Sequence, residues 1–131
     1  MNKKLIFLLI SIFLTFMQTN NQAQVNLIPK PQELKVLEGN FIVSKDVSFQ
    51  ASNVNDQLIK YLKDYLSELY SIKFTKASKE ASSITLQVEK DFLNTRPEAY
   101  SLKIKPDKII ILASSEVGLF YGIQTLFQLL P

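Results

Sequence analysis

The sequence contains no cysteine, no histidine and no tryptophan, and only three glycines among 131 residues. Without cysteine and histidine, the chain cannot form disulfides, a thiol or imidazole nucleophile, or an ordinary zinc or haem site. We therefore expect no catalytic triad, no metal and no cofactor. The lack of tryptophan also argues against a sugar-binding surface, because sugars usually stack on aromatic faces.

Length and charge exclude further classes of protein. A chain of 131 residues supports one small domain, whereas a (β/α)₈ barrel needs about 250 residues. The hydrophobic content of 47% is that of a globular chain. The 15 basic and 12 acidic residues leave a net charge of +3 with no clustered basic face, so we expect no nucleic-acid partner.

The first 23 residues are predicted to be a secretory signal peptide. Lys3 and Lys4 precede an uncharged stretch from residue 5 to residue 17, and the most plausible cleavage follows Ala23. A membrane span needs about 20 apolar residues, so this stretch is too short to be an anchor. We expect an exported protein, periplasmic or extracellular and free of the membrane after cleavage, and without a cysteine-linked lipid.

Alternating and helical patterns predict an α+β domain over residues 24–131, an open mixed or antiparallel sheet of six to seven short strands with two helices on one face. The predicted strands are residues 34–37, 41–43, 47–49, 72–74, 84–88, 100–104 and 108–113. Residues 109–112 are all apolar, which predicts a central strand buried from both sides. The predicted helices cover residues 58–70 and 116–130, the first after a cap at residue 52, 53 or 55.

The last predicted helix lacks a charged side that would face solvent. No charged residue occurs after Glu116, and Val117, Tyr121 and Leu129 lie off the stripe expected to pack on the sheet, which is residues 119, 120, 123, 126, 127 and 130. Burying these three side chains would contribute roughly 4–9 kcal/mol. Each glycine of the helix costs about 1 kcal/mol in helix propensity and suggests the close approach of another backbone. We therefore predict a contact surface for a second layer, formed by Val117, Gly118, Tyr121, Gly122 and Leu129.

Four segments carry a family resemblance: residues 26–32 (NLIPKPQ), 37–41 (LEGNF), 98–102 (EAYSL) and 118–130 (GLFYGIQTLFQLL). In this order they resemble the N-terminal accessory domain of β-N-acetylhexosaminidases, glycoside hydrolase family 20. The resemblance implies an open sheet with two helices on one face, followed by a (β/α)₈ catalytic barrel that would begin near Pro131.

The resemblance also implies where the chemistry lies. The family removes terminal β-linked N-acetylglucosamine or N-acetylgalactosamine with retention, and the substrate's acetamido group acts as nucleophile. The general acid Glu and the Asp that orients the acetamide belong to the barrel. We therefore expect no catalytic or substrate-binding residue in this chain, an inactive isolated domain, and the missing barrel as its partner.

The remaining carboxylates and aromatic side chains offer no clear site. Glu89 with Asp91, and Asp64 with Glu68, are interpreted as solvated carboxylates, while Tyr100 is interpreted as a core residue. The alternative functions are a stand-alone exported module that binds protein or carbohydrate, and the equivalent domain of another glycoside hydrolase family. We also expect weak self-association of the isolated domain through its last helix.

Overall fold

A computed structural model describes residues 25–75, 82–92 and 96–131, so the predicted signal peptide lies outside the described residues. We number the elements in chain order. They are β1 (Asp46–Ser52), α1 (Asp56–Tyr70), β2 (Lys73–Thr75), β3 (Ser82–Val88), β4 (Tyr100–Lys105), β5 (Lys108–Ala113) and α2 (Glu116–Leu129).

The strands form one mixed sheet in the order β2-β1-β3-β5-β4. The pairs β2–β1, β1–β3 and β3–β5 are parallel. Strand β4 pairs antiparallel with β5 through the tight turn at Pro106 and Asp107. Both helices contribute to a single core with the sheet. The predicted α+β class is therefore confirmed, with five strands in the described part of the chain instead of six or seven.

The predicted strands at residues 34–37 and 41–43 account for the lower count, because both segments lie outside the sheet. Leu37 is 63% exposed, and the Ile42 amide donates a single bond to the Pro106 carbonyl at 3.4 Å. The segment therefore crosses the β4–β5 turn without pairing along a strand. The strand predicted at residues 72–74 is shifted by one residue, since β2 covers Lys73–Thr75 and Ile72 is buried just before it.

The core lies between the sheet and the helices. Alternate strand residues point toward the helices in register, as shown by the pairing of Ile84 with Ile109 and of Leu86 with Ile111, and all four are at most 2% exposed. The helices meet them with Leu62, Leu66, Leu119, Ile123 and Leu126. The prediction that β5 is buried on both sides is wrong, because Ile110 and Leu112 on its other face are only half-buried.

Both helices begin at well-formed caps. The Asn55 side chain accepts a bond from the Leu58 amide at 2.8 Å, so α1 begins two residues earlier than predicted. Ser115 accepts bonds from the amides of Val117 and Gly118. These caps provide hydrogen-bond acceptors for backbone amides that would otherwise be unpaired in the first turn of each helix. Ser71 ends α1 in the left-handed conformation.

Candidate functional site: the outward surface of the two helices

The two helices lie side by side on the sheet and leave several large apolar side chains facing solvent. We call these side chains the outer helix surface: Tyr61 and Leu69 from α1, and Val117, Phe120 and Tyr121 from α2. Each of the five is between 41% and 61% exposed. Tyr61, Val117, Phe120 and Tyr121 lie together on the outward side of the helices, which makes that side a candidate interaction surface. Leu69 follows Leu62 by two helical turns, on the face of α1 that packs on the sheet, and is exposed near the end of the helix.

Aromatic contacts between the helices hold this surface in shape. The Tyr61 ring lies 6.0 Å from Phe120 and 5.8 Å from Phe127, measured between centroids. Below them, the half-buried rings of Tyr65 and Phe127 stack at 3.6 Å with an interplanar angle of 17°. Phe120 was predicted to pack on the sheet, yet it is 41% exposed and contacts Tyr61. The exposed rings are therefore supported by a packed aromatic layer between the helices.

The two glycines of α2 lie on the opposite side of the helix from this surface. A Cβ atom on Gly118 would lie 2.4 Å from the Ala99 carbonyl oxygen, and one on Gly122 would lie 2.5 Å from Cγ2 of Ile111. Both glycines are buried. The predicted close backbone approach therefore occurs within this chain at Gly118, whereas Gly122 lies against the side chains of Ile111 and Tyr100, and the assignment of the two glycines to a surface for a second layer is wrong. The side of α2 that packs on the sheet is therefore centred nearer the glycines than the sequence predicts, and Phe120 lies on the outward side.

The five residues of the predicted contact surface therefore lie in three different environments. Val117 and Tyr121 are exposed on the outer helix surface, Leu129 is half-buried near the end of α2, and the glycines face the sheet. Sequence reasoning missed Tyr61 and Phe120. Their signal was present in the helical period, since Tyr61 lies on the edge of the apolar half of α1, but the wheel does not show which edge meets α2.

Polar groups near this surface are already bonded within the chain. The Gln124 amide nitrogen donates to the Tyr61 hydroxyl at 2.9 Å. The Gln128 side chain accepts from the Ile28 amide and donates to the Ile28 carbonyl, both at 2.9 Å. Covering these groups would cost little, because the main penalty of burying a polar group arises when its bonds to water are not replaced.

Glu116 is the only charged residue of α2, and it connects the starts of the two helices. Its carboxylate oxygens accept bonds from the Asn55 backbone amide at 2.8 Å and from Asn55 Nδ2 at 2.6 Å. On α1, the Asp64 carboxylate accepts a hydrogen bond from Lys60, which raises the pKa of that exposed lysine above its usual value. Such a pair on a wet helix face contributes little to stability.

An open groove of about 450 Å³ runs between the N-terminal halves of the helices. Its walls are largely apolar, and its polar groups lie at the helix starts. The lining residues are Asn55, Gln57, Leu58, Tyr61, Glu116, Val117, Phe120 and Tyr121. The groove therefore includes most of the outer helix surface and the carboxylate of Glu116.

The other candidate residues form no reactive arrangement. Glu89 and Asp91 are exposed beside an open depression at the carboxyl ends of β3 and β5, and Glu89 accepts a bond from Gln87. Tyr100 is half-buried, with its hydroxyl 2.6 Å from the Thr125 hydroxyl. Within residues 25–75, 82–92 and 96–131, no three Asp or Glu side chains converge to hold a metal ion.

The same ranges contain no helix that is long and apolar enough to cross a bilayer.

Comparison with known proteins decides the family. Residues 24–131 match the sequence model of glycosyl hydrolase family 20, domain 2. The chain belongs to this family. The comparison with curated protein sequences finds no match.

Solved structures show the same fold. A chitobiase from Flavobacterium johnsoniae is 30% identical, with a TM-score of 0.61, over 84% of this chain and 19% of its own. A β-N-acetylhexosaminidase from Bacteroides fragilis is 20% identical, with a TM-score of 0.62, over 78% of this chain and 20% of its own. CpGH84B, whose name carries another family number, is 21% identical, with a TM-score of 0.67, over 82% of this chain and 20% of its own.

The chain therefore spans about a fifth of the length of these solved structures. Because the fold is similar in a protein of a different family number, the fold alone does not identify family 20. The match over residues 24–131 does. The predicted membership in family 20 is confirmed.

Proposed function

We propose that this chain is the non-catalytic accessory domain of an exported, retaining β-N-acetylhexosaminidase, and that its outer helix surface packs against the catalytic (β/α)₈ barrel and supports it. The observation that carries this proposal is the family 20 match together with an apolar surface on the helices. The helix side is available for a second layer, since the sheet covers only the other side of α1 and α2.

The exposed rings set the scale of the packing energy. Fully burying one large apolar side chain contributes roughly 1.5–3 kcal/mol. Tyr61, Val117, Phe120 and Tyr121 are already about half covered, so burying the remainder contributes about 3–6 kcal/mol in total. That is a large part of the roughly 5–15 kcal/mol by which a domain of this size is stable.

In the proposed enzyme, the barrel supplies the general acid and the residue that orients the substrate's acetamido group, which attacks the anomeric carbon. The leaving group departs with the proton of the general acid, water then opens the intermediate, and the terminal N-acetylglucosamine or N-acetylgalactosamine is released as a free sugar with its β configuration retained. This chain contributes no group to that reaction. Its own residues act by holding the helix layer rigid, through the Tyr65–Phe127 stack and the bond from Asn55 to Glu116.

The catalytic part of the proposal is tested with the isolated chain. Residues 24–131 are incubated with a chromogenic N-acetyl-β-glucosaminide, and we expect no turnover above the buffer rate. Turnover by the purified chain, free of other glycosidases, would contradict the proposed role.

The packing part is tested with the barrel of the full-length enzyme, produced as a separate polypeptide. We expect the wild-type chain to bind the barrel and raise its melting temperature. Val117→Lys should weaken binding at least tenfold, because it places a charge on the outer helix surface. Gln50→Lys adds the same charge to an exposed position of β1 that faces away from the helices, and should change binding less than twofold. Equal effects of the two variants would refute packing through the helices.

Export through a cleaved signal peptide is the remaining part of the proposal. The uncharged stretch after Lys3 and Lys4 supports it. N-terminal sequencing of the protein recovered outside the cytoplasm should begin at Gln24. A product that retains residues 1–23 in the cytoplasmic fraction would exclude export.

A further inference from the structure

The groove between the N-terminal halves of α1 and α2 differs from the rest of the outer helix surface. It is the part of that surface where exposed rings lie beside a charge. Tyr61, Phe120 and Tyr121 form its walls, and Glu116 lies at its rim. Leu69, at the other end of α1, is exposed without lining the groove. A concave apolar site beside one charge can bind a single anchoring side chain, whereas an isolated exposed leucine adds only area.

The charge around the groove is net negative. Along the stretches that line it, residues 55–61 and 116–121, the charged side chains are Asp56, Lys60 and Glu116, and Lys60 is paired with Asp64 on the exposed side of α1. The groups that bond to Glu116 are the neutral amides of Asn55, so they do not cancel its charge. The groove therefore favours a partner that brings a positive charge beside its apolar group.

Several polar groups of the groove are already bonded to one another or to nearby residues, while the Gln57 amide and the Tyr121 hydroxyl also line it. Asn55 donates to Glu116, and the Tyr61 hydroxyl accepts a bond from Gln124. A pyranose would require several free donors and acceptors around its hydroxyl groups, in addition to an aromatic face. An apolar side chain requires none, and its burial does not break the existing bonds. The chemistry of the walls thus favours a protein side chain over a sugar.

We infer that the groove receives an apolar anchor side chain from the catalytic barrel, and that a neighbouring lysine or arginine of the barrel pairs with Glu116. This inference rests on the proposed function and adds the chemistry of the partner segment. A volume of about 450 Å³ accommodates one large side chain together with the backbone that carries it. The groove is then the centre of the interface, and the C-terminal half of the helix layer is its periphery.

The test measures binding of the separately produced barrel to the chain at low and high salt. Tyr121→Ala removes a wall of the groove and should weaken binding at least tenfold. Glu116→Gln keeps the size of the side chain and should weaken binding about fivefold at low salt, while removing most of the salt dependence. Leu69→Ala, the control at an exposed leucine near the end of α1 and outside the groove, should change binding less than twofold. Thermal unfolding of each variant shows that it is folded at the assay temperature.

The outcomes separate the two proposals. If the wild-type chain does not bind the barrel, the proposed function fails, and the groove assignment fails with it. If the chain binds but Tyr121→Ala and Leu69→Ala weaken binding equally, or the salt dependence persists in Glu116→Gln, only the groove assignment fails.

Two further measurements examine other occupants. Titration with N-acetylglucosamine and with its β-1,4-linked dimer is followed by NMR, and sedimentation reports self-association. Saturable shifts at Tyr121 with either sugar would assign the groove to carbohydrate. A dimer that Tyr121→Ala dissociates, and that saturating barrel does not displace, would assign it to a second copy of this chain. Either result would overturn the inference, and the absence of both supports it.

Discussion

Replacing Gly118 by alanine tests the close packing of α2 on the chain's own backbone. The added Cβ would lie 2.4 Å from the Ala99 carbonyl oxygen and 3.0 Å from the Pro97 carbonyl oxygen. Both oxygens are fixed, since Pro97 accepts a bond from the Gly118 amide at 3.1 Å and Ala99 accepts one from the Ser114 amide at 3.2 Å. Relief of the clash therefore requires a shift of the helix start or of the loop.

The expected loss follows from three contributions. Overpacking of a close contact costs about 1–3 kcal/mol, and weakening one backbone hydrogen bond costs about 1 kcal/mol. Alanine regains at most about 1 kcal/mol of helix propensity over glycine. The net decrease in the free energy of unfolding is therefore about 2 kcal/mol, which lowers the melting temperature of a domain of this size by roughly 8–16 °C.

Urea unfolding followed by far-ultraviolet circular dichroism measures this loss. We expect a lower midpoint for Gly118→Ala with an unchanged slope. Val117→Ala is the matched control, because the preceding residue points outward, and it should remain within about 0.5 kcal/mol of wild type. If Gly118→Ala were as stable as wild type, the close approach of α2 to residues 97–99 would be wrong.

Three further substitutions examine the remaining contacts by unfolding measurements. Gly122→Ala should cost about 1–2 kcal/mol through its contact with Cγ2 of Ile111, and the added change Ile111→Leu, which moves that methyl group, should recover part of the loss. Tyr100→Phe should cost about 1–2 kcal/mol by leaving the buried Thr125 hydroxyl without its partner, whereas adding Thr125→Val should cost less than the sum of the single changes. Asn55→Ala should cost about 1–2 kcal/mol, because it removes the cap of α1 and one bond to Glu116; a loss below 0.3 kcal/mol would contradict the observed cap.

Local patterns predicted the elements that have strong periodicity. Strict alternation over residues 84–88 and 100–104 corresponds to β3 and β4, and the helical period over residues 58–70 lies within α1. These patterns record burial on one face, which is a local property of the sequence. They do not record pairing partners. Residues 34–37 and 41–43 have strand-like composition, yet both lie outside the sheet, and the Ile42 amide bonds to the β4–β5 turn at Pro106.

The candidate surface was predicted in part for the same reason. The lack of charge after Glu116 correctly indicated that α2 has apolar residues on two sides. The role of the glycines could not be predicted from the sequence, because a glycine permits another part of a protein to approach the helix closely without specifying which part. Tyr61 belongs to a different element, and its contact with Phe120 depends on how α1 and α2 lie relative to each other. Tertiary packing, not periodicity, determines such a contact.

The two sides of α2 are linked by the helical period. Gly118 and Gly122 are one turn apart and face the sheet, while the preceding residues Val117 and Tyr121 are also one turn apart and face outward. Small residues inward let the helix lie close to β4 and β5, so the sheet-packing stripe is centred nearer the glycines and Phe120 turns away from it. The outward direction of residues 117, 120 and 121 is therefore a geometric consequence of the glycines facing the sheet, whereas their apolar character is not. A sequence selected only for the stability of this domain could place charged residues at 117 and 121 without disturbing the core. Their apolar character is accordingly better explained by a partner than by the fold.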